Sequence, residues 1–383
     1  MSWIKITAEV EMEKLLTEVC KIQYGFPFDS SKFNNSEGMP LIRIRDISSG
    51  ETETFTTEEY REEYVVKQGD ILIGMDGEFN VAKWSGIDAL LNQRVCRLLP
   101  FDIDANYLYY FMPKILKEIE AKTPFVTVKH LSAKQLNSIV VPIPSLERQQ
   151  FVAKVLCRID EITEQRKQQL QKLDELVKAR FVEMFGDPVS NPYGYEKVAL
   201  SELADIKIGP FGSLLHKEDY VENGHALVNP SHIVDGGVVP DNKLTVSDEK
   251  YSELYPYHLK NGDVVMGRRG EMGRCAVVVS DGYLCGTGSL LIRTKGDVTA
   301  DYIQKSISFP SFKKSIEDMA VGQTMPNLNV PIVSKFQIIK PPMEVQNDYY
   351  KFVEQIDKSK LSVQKSLDKL KLLKKALMQK YFG

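Results

Sequence analysis

The sequence predicts an α+β protein built from an internal repeat. Each of the two copies is a globular domain with mixed sheets followed by a long helix. Three observations predict this fold class: segments of the first half recur in the second, short apolar runs lie between turn residues, and each half ends in a long amphipathic stretch. The length of 383 residues allows two or three compact domains.

The internal repeat is clearest at the two helical ends. Residues 170–186 (LQKLDELVKARFVEMFG) match residues 367–383 (LDKLKLLKKALMQKYFG), and the same separation of 197 residues relates Pro144 to Pro341 and Ile159 to Ile356. Upstream, QGDI at 68–71 matches NGDV at 261–264, and IQYGFPF at 22–28 matches IKIGPFG at 206–212. The smaller separation upstream indicates that the second copy has gained loop residues.

The globular domains are predicted at 1–143 and 187–340. Runs of apolar residues bounded by Gly, Asn and Asp are typical of strands, and longer periodic stretches favour helices. The predicted strands include 41–44, 70–73, 264–266, 275–279 and 290–292, and the predicted helices include 106–122 and 300–318.

Long helices are predicted at 144–186 and 341–383. Pro142 and Pro144 end the first domain, Ser145 is suited to cap the helix, and Gly186 followed by Pro188 ends it. About 40 residues at ~1.5 Å each give a rod of roughly 60 Å.

We expect the two helices to pair as an antiparallel coiled coil with a pseudo-twofold axis, because each has a narrow apolar stripe that a small domain cannot cover. The alternative is that each helix folds back onto its own domain. The predicted interface consists of Val155, Ile159, Ile162, Leu170, Leu173, Val177, Phe352, Ile356, Val363, Leu367, Leu370 and Leu377.

Composition excludes several classes of protein. The formal charge of −3 argues against a surface that is basic throughout, and the five scattered cysteines form no C-x-x-C pair. No segment has the length and apolarity of a membrane span or a secretory signal. We therefore expect a cytoplasmic protein with no membrane association.

The order of these motifs resembles the specificity subunit of type I restriction–modification enzymes. The resemblance lies in VPIPSLERQQ at 141–150, FGDP at 185–188, QGDILIGMDG at 68–77, LNQRV at 91–95, NGDVVMGRRG at 261–270 and GQTMPNL at 322–328. One departure is PPME at 341–344, which replaces the usual P-L-P-x-x-E-Q at the start of the second helix.

The resemblance implies a non-catalytic subunit whose two globular domains each recognise one half of a bipartite, asymmetric target in double-stranded DNA. It also implies that the helices set the spacing and dock two modification (methyltransferase) subunits, with restriction (helicase–nuclease) subunits completing the complex. S-adenosylmethionine, ATP and Mg²⁺ would then belong to the partner subunits, with no cofactor in this chain.

The residues themselves favour no catalytic or metal site. NPY at 191–193 lacks the second proline and the glycine loop of an adenine methyltransferase, and the PD…DEK pattern at 240–250 is predicted to be a polar loop. The sequence contains no Walker motif, and the five histidines have no metal-ligand spacing.

Candidate DNA-binding residues are Arg, Lys, Asn, Gln, Asp and His side chains on loops at strand ends, where a rigid scaffold presents them. In the first domain we predict Arg43, Arg45, Asp76, Asn92, Gln93, Arg94, Lys129 and His130, and in the second Arg268, Arg269, Arg274, Gln323 and Asn327.

Each assignment has a structural alternative. Arg43 and Arg45 are predicted to alternate on a strand and so to share a solvated face, while Asp76 and Arg94 can form an internal salt bridge. For the whole chain, the second interpretation is a protein-interaction scaffold with no DNA recognition. The arginine-bearing loops in both copies favour DNA.

Overall fold

The computed structural model describes residues 12–123, 129–234, 236–270, 273–320 and 327–383. The first half contains short strands, two short helices, one 18-residue helix and a 40-residue helix. In chain order they are β1 (Met12–Leu15), α1 (Leu16–Val19), β2 (Cys20–Tyr24), β3 (Phe33–Asn34), β4 (Met39–Ile42), β5 (Phe55–Thr56), β6 (Val65–Val66), β7 (Ile71–Gly74), β8 (Val81–Lys83), β9 (Ala89–Leu91), β10 (Val95–Pro100), α2 (Ala105–Lys122), α3 (Ala133–Asn137), β11 (Val140–Ile143) and α4 (Leu146–Phe185).

The second half repeats this series with added elements. Its elements are β12 (Glu196–Ala199), α5 (Leu200–Leu203), β13 (Ala204–Ile208), β14 (Tyr220–Val221), β15 (His225–Val228), β16 (Ile233–Val234), β17 (Gly237–Val238), β18 (Thr245–Val246), α6 (Asp248–Glu253), β19 (His258–Leu259), β20 (Val264–Gly267), β21 (Cys275–Val277), β22 (Tyr283–Cys285), β23 (Ser289–Thr294), α7 (Ala300–Ile307), α8 (Pro310–Ala320), α9 (Val330–Ser334), β24 (Gln337–Lys340) and α10 (Met343–Phe382).

The sheets of the two halves have the same topology. The antiparallel four-stranded sheet β2-β10-β7-β8 corresponds to β13-β23-β20-β21, and the pair β1-β11 corresponds to β12-β24. The five-stranded sheet β3-β5-β4-β9-β6 corresponds to β14-β18-β15-β22-β19, and each contains one parallel pair, β4 with β9 and β15 with β22. The hairpin β16–β17 belongs to the second copy. The predicted repeated α+β plan with mixed sheets is confirmed.

The core of each half lies between the four-stranded sheet and the helix that follows it. In the first half Ile73 of β7 and Cys96 of β10 pack with Leu108 and Met112 of α2. In the second half, Met266 of β20 packs with residues of β23 and α7 in the corresponding core. The same pattern of buried positions therefore supports both copies.

The chain divides into two compact units whose boundary crosses both long helices. One unit is Met1–Gln168 with Val363–Gly383, and the other is Gln169–Ser362. Each unit thus contains one globular domain, the beginning of the helix that follows it and the end of the other long helix.

Helix pairing in the first unit is antiparallel. The Arg148 guanidinium lies 5.2 Å from the ring of Tyr381, and Asp160 forms a 2.5 Å ion pair with Lys374, so the partner number falls as α4 advances. Phe382, at the end of α10, packs 5.3 Å from Tyr107 of α2.

The second unit repeats the antiparallel arrangement with different residues. Asp174 forms a 2.5 Å ion pair with Lys360, and the Tyr349 hydroxyl donates to the carbonyl of Val177 at 3.4 Å. Phe185, at the end of α4, packs 4.9 Å from Tyr302 of α7. Each unit therefore confirms antiparallel pairing, and neither long helix packs only against its own domain.

Helix α4 (Leu146–Phe185) lies within the predicted range 144–186, with Ser145 and Gly186 at its two ends. The Ser145 hydroxyl accepts the Arg148 N–H at 3.4 Å, and Gly186 ends α4 in a left-handed conformation (φ +73°) with its N–H bonded to Val182. In contrast, the predicted helix 300–318 is interrupted before Pro310, because proline cannot donate to the preceding turn. Within the described residues, no helix is both long enough and apolar enough to cross a membrane.

Candidate nucleic-acid interface

Three segments distant in sequence meet at one end of the four-stranded sheet in the first unit. The Met75 N–H, just after β7, donates to the Arg94 carbonyl at 2.8 Å, and the Met75 carbonyl accepts the Leu131 N–H at 2.7 Å. The Gly77 N–H donates to the Lys129 carbonyl at 2.9 Å. These backbone bonds hold the predicted residues near 76, 94 and 130 together.

The side chains on this backbone form a charged cluster. Asp76 lies 2.5 Å from Nδ1 of His130 and 3.4 Å from Nε of Arg94. The side chains of Arg94 and His130 are 54% and 46% exposed, so both remain available to a ligand. The Asp76–Arg94 salt bridge is therefore present, and it orients the arginine toward the surface that also carries His130.

Arg94 also has an unusual backbone. Its φ of +78° lies in the left-handed region, which costs a non-glycine residue about 1 kcal/mol or more. The Met75 N–H and the Asp76 carboxylate both bind Arg94, which explains how this conformation is held.

The neighbouring predicted residues differ in accessibility. Gln93 is exposed, and its N–H donates to the Phe26 carbonyl at 2.8 Å. Lys129 is half-buried and lies 3.6 Å from Glu120. Asn92 is only 7% exposed, and its side-chain oxygen has no hydrogen-bond partner among the described residues. Burial therefore disfavours direct base contact by Asn92. Gln93 and Lys129 are more accessible and are better placed for such contact.

The predicted strand alternation of Arg43 and Arg45 is wrong. Strand β4 ends at Ile42, and Ile44–Asp46 is a 3₁₀ turn in which the buried Asp46 carboxylate accepts the Arg43 N–H at 2.8 Å. Both arginines are exposed, with Arg45 3.5 Å from Asp46. The turn lies against the end of β7 that leads to Asp76, because a Cβ on Gly74 would stand 3.2 Å from the Ile44 side chain.

The second unit has the same backbone arrangement with different side chains. The Arg268 N–H donates to the Gly288 carbonyl at 2.9 Å, and the Arg268 carbonyl accepts the Leu328 N–H at 3.0 Å. The Arg268 guanidinium donates to the carbonyls of Leu328 and Thr287 at 3.0 and 3.4 Å. Burial and the neighbouring Arg269 lower the pKa of Arg268. The two adjacent guanidinium groups of Arg268 and Arg269 make this corner positively charged, which favours an anionic ligand.

The remaining predicted residues of the second domain lie around this corner. Arg269 is exposed, whereas Arg274 is half-buried and donates to the Pro230 carbonyl at 3.4 Å. Asn327 is half-buried, and its side-chain oxygen is buried with no partner within the described segments. Gln323 lies outside the described residues.

Position-by-position correspondence shows how the two interfaces differ. Met75 corresponds to Arg268, because the N–H of each donates to the residue just before β10 or β23. The carbonyl of each accepts an equivalent leucine N–H, from Leu131 or Leu328. With this alignment, three equivalent surface positions carry different residues in the two copies: Asp76 and Arg269, Arg94 and Gly288, and His130 and Asn327. One frame therefore presents two different sets of donors and acceptors.

Asn229, which was not among the predicted residues, occupies the position of Arg43. It follows β15 as Arg43 follows β4, and its side-chain oxygen fills the space beside Gly286, 2.2 Å from where a Cβ would stand. In the first copy Asn92 occupies the position of Gly286. Aligning LIRIRDI at 41–47 with LVNPSHI at 227–233 would have found this residue.

The twelve predicted helix-pair residues all have restricted exposure. Ile159, Val177, Val363 and Leu367 are buried. The other eight, which are half-buried, are Val155, Ile162, Leu170, Leu173, Phe352, Ile356, Leu370 and Leu377.

Comparison with known proteins identifies the family. The model of the type I restriction modification DNA specificity domain matches twice, at residues 9–173 and 192–372. The EcoBI specificity subunit of Escherichia coli is 25% identical over 418 aligned positions, covering 100% of this chain and 85% of that protein. The MjaVIII specificity subunit of Methanocaldococcus jannaschii is 22% identical, covering 82% of this chain and 79% of that protein.

The fold is shared with a solved structure. The crystal structure of the S subunit of a type I restriction–modification system from M. genitalium has a TM-score of 0.61 and 14% identity, over 99% of this chain and 98% of that chain. The two domain matches span both copies of the repeat, and the chain therefore belongs to the type I restriction–modification specificity-subunit family.

Proposed function

We propose that this chain is a DNA sequence-specificity subunit in which each copy of the repeat recognises one half of a bipartite, asymmetric target. The observation that carries the proposal is the shared backbone frame with different side chains: Asp76, Arg94 and His130 in one copy correspond to Arg269, Gly288 and Asn327 in the other. A common frame fits the common geometry of B-DNA, and different side chains fit different base edges.

The family is non-catalytic, and methylation and cleavage belong to partner subunits. For this chain we propose two modification subunits, docked along α4 and α10, and restriction subunits in the complete complex. S-adenosylmethionine, ATP and Mg²⁺ would be bound by those partners. The domains at 1–143 and 187–340 would bind the half-sites, and the helix pair would hold them about one DNA turn, ~34 Å, apart.

A salt-titrated binding assay tests DNA recognition. The full-length chain with its modification subunits should bind duplex DNA with an affinity that falls steeply with salt, because the log of the binding constant drops by about 0.9 per phosphate contact per decade of salt. A salt-independent, weak interaction with DNA together with tight binding to another protein would support the scaffold interpretation instead.

A further inference from the structure

Phe211 is an exposed aromatic residue in the connection between β13 and β14. Its side chain is 63% exposed, although Gly209 and Pro210 just before it are buried. Gly212, just after it, adopts a left-handed φ of +64°. The chain is therefore fixed on one side of Phe211 and turns sharply on the other, and the ring projects from a defined point on the surface.

The fixed side of this connection joins the candidate interface. The Gly209 N–H donates to the Ser289 carbonyl at 3.1 Å, and a Cβ on Gly209 would stand 2.0 Å from the Gly286 oxygen. Loop 286–288 in turn binds Arg268 through the Gly288 carbonyl at 2.9 Å. Phe211 thus follows a segment that packs against the loop bound to Arg268, one of the candidate DNA-binding residues.

In the first copy the aromatic residues at the corresponding place pack against one another. Phe26 packs 4.9 Å from Phe28 and 5.3 Å from Tyr64, and Phe28 is only 4% exposed. In the repeat, Pro210 takes the position of Phe26 and Gly212 that of Phe28. The second copy has therefore lost the two inward-facing rings and has gained one that faces solvent.

We propose that Phe211 inserts as a wedge between two base pairs of the half-site bound by the second copy. Apolar side chains beside basic residues are used in this way to unstack a flexible step and kink the duplex. A single exposed apolar residue is ordinary on a protein surface. Two features distinguish Phe211: the segment just before it packs against the loop that binds Arg268, and the first copy has Pro27 at its position. The inference rests on the proposed DNA recognition.

Fluorescence of 2-aminopurine tests the wedge in the complex of the full-length chain with its modification subunits. The probe is a duplex carrying the target found by methylation-aware sequencing, with 2-aminopurine placed in turn at each step of both half-sites. The methylated adenine is left unsubstituted, because flipping of that base would raise the same signal. The variants are Phe211→Ala, Phe211→Trp and the control Val279→Ala, whose 78% exposed side chain lies beyond β21, far from the Gly267 end of β20.

The wild-type complex should increase the fluorescence at one step of one half-site. Phe211→Ala should abolish this increase and weaken specific binding by about 5- to 150-fold, the range expected for removing one aromatic side chain stacked on a base. Phe211→Trp and Val279→Ala should retain the signal. If the wild type binds specifically but Phe211→Ala changes neither signal nor affinity, the wedge is refuted and DNA recognition stands. If the wild-type complex shows no sequence-specific binding, the proposed function fails and the wedge with it.

Discussion

Asp70 and Asp263 are placed alike in the two copies, and both are structural rather than DNA-binding residues. Asp70 lies 2.7 Å from Arg97, in the turn before β7. Asp263 precedes β20 and receives two bonds from Arg293, at 2.8 and 2.6 Å. Each carboxylate fixes the start of the strand whose other end carries the candidate interface.

Asp263→Ala should therefore destabilise the protein. The Asp263 side chain is 3% exposed, and its removal leaves Arg293 without its partner. We expect a loss of about 2–4 kcal/mol in the free energy of unfolding, below the upper end for buried pairs because Arg293 is partly exposed. Urea denaturation measures it, with Asp297→Ala as the matched control. Asp297 is 62% exposed, so its pair with Lys340 should contribute less than about 1 kcal/mol. Equal losses for the two variants would contradict this account.

Arg269 and Asp76 provide a test of which copy binds which half-site. Arg269→Ala should relax base preference in one half-site by about 10- to 100-fold, the value of one bidentate base contact. Asp76→Ala should relax the other half-site, because Arg94 and His130 lose the carboxylate that orients them. Selection from a randomised duplex library measures both, with Lys351→Ala on α10 as a control that should leave the preferences unchanged. A variant that relaxes both half-sites equally would refute the separate assignment.

At the scale of elements, the long helices combine local signals with long-range packing. Ser145 and Gly186 set the ends of α4 through bonds to residues three or four positions away, and for this reason the sequence predicts them well. The division of each helix between two units depends instead on contacts such as Phe382 with Tyr107 and Phe185 with Tyr302. No local pattern encodes these contacts.

The candidate interface was only partly predictable for the same reason. Arginine and amide residues in loops can be recognised in the sequence. The structure brings two of the predicted residues, Arg94 and His130, together around Asp76. The turn at Ile44–Asp46 was mistaken for a strand because its conformation depends on the buried Asp46 capturing the Arg43 N–H. The burial of Asn92 likewise depends on a distant part of the chain, because Asn92 forms a β-bridge with Phe26.

Leu367→Asp tests the helix pairing. Leu367 is 4% exposed, whereas Leu372 on the same helix is 69% exposed. A charge at Leu367 should cost about 3 kcal/mol or more of the free energy of unfolding, since it must be buried without a partner. Leu372→Asp should change it by less than about 1 kcal/mol. Thermal or urea unfolding distinguishes them, and a tolerated Leu367→Asp would contradict a packed helix pair.

At the scale of the whole molecule, the chain keeps one scaffold twice and varies what it presents. Sheet topology, parallel pairs, helix ends and the Gly-Asp turns recur, while the interface side chains, the hairpin β16–β17 and the Phe211 connection differ. Such a molecule is suited to a target whose halves share DNA geometry but not sequence. The net charge of −3 is consistent with this, because the basic residues of the interface are concentrated in a few loops.

Methylation-aware sequencing of the host genome tests the central claim most directly. A genome in which this chain and its modification subunits are present should carry a methylated motif of two different half-sites separated by an unspecified spacer. The motif should disappear when the chain is deleted, and Arg269→Ala should broaden one half of it. An unbroken palindromic motif dependent on this chain would contradict the account.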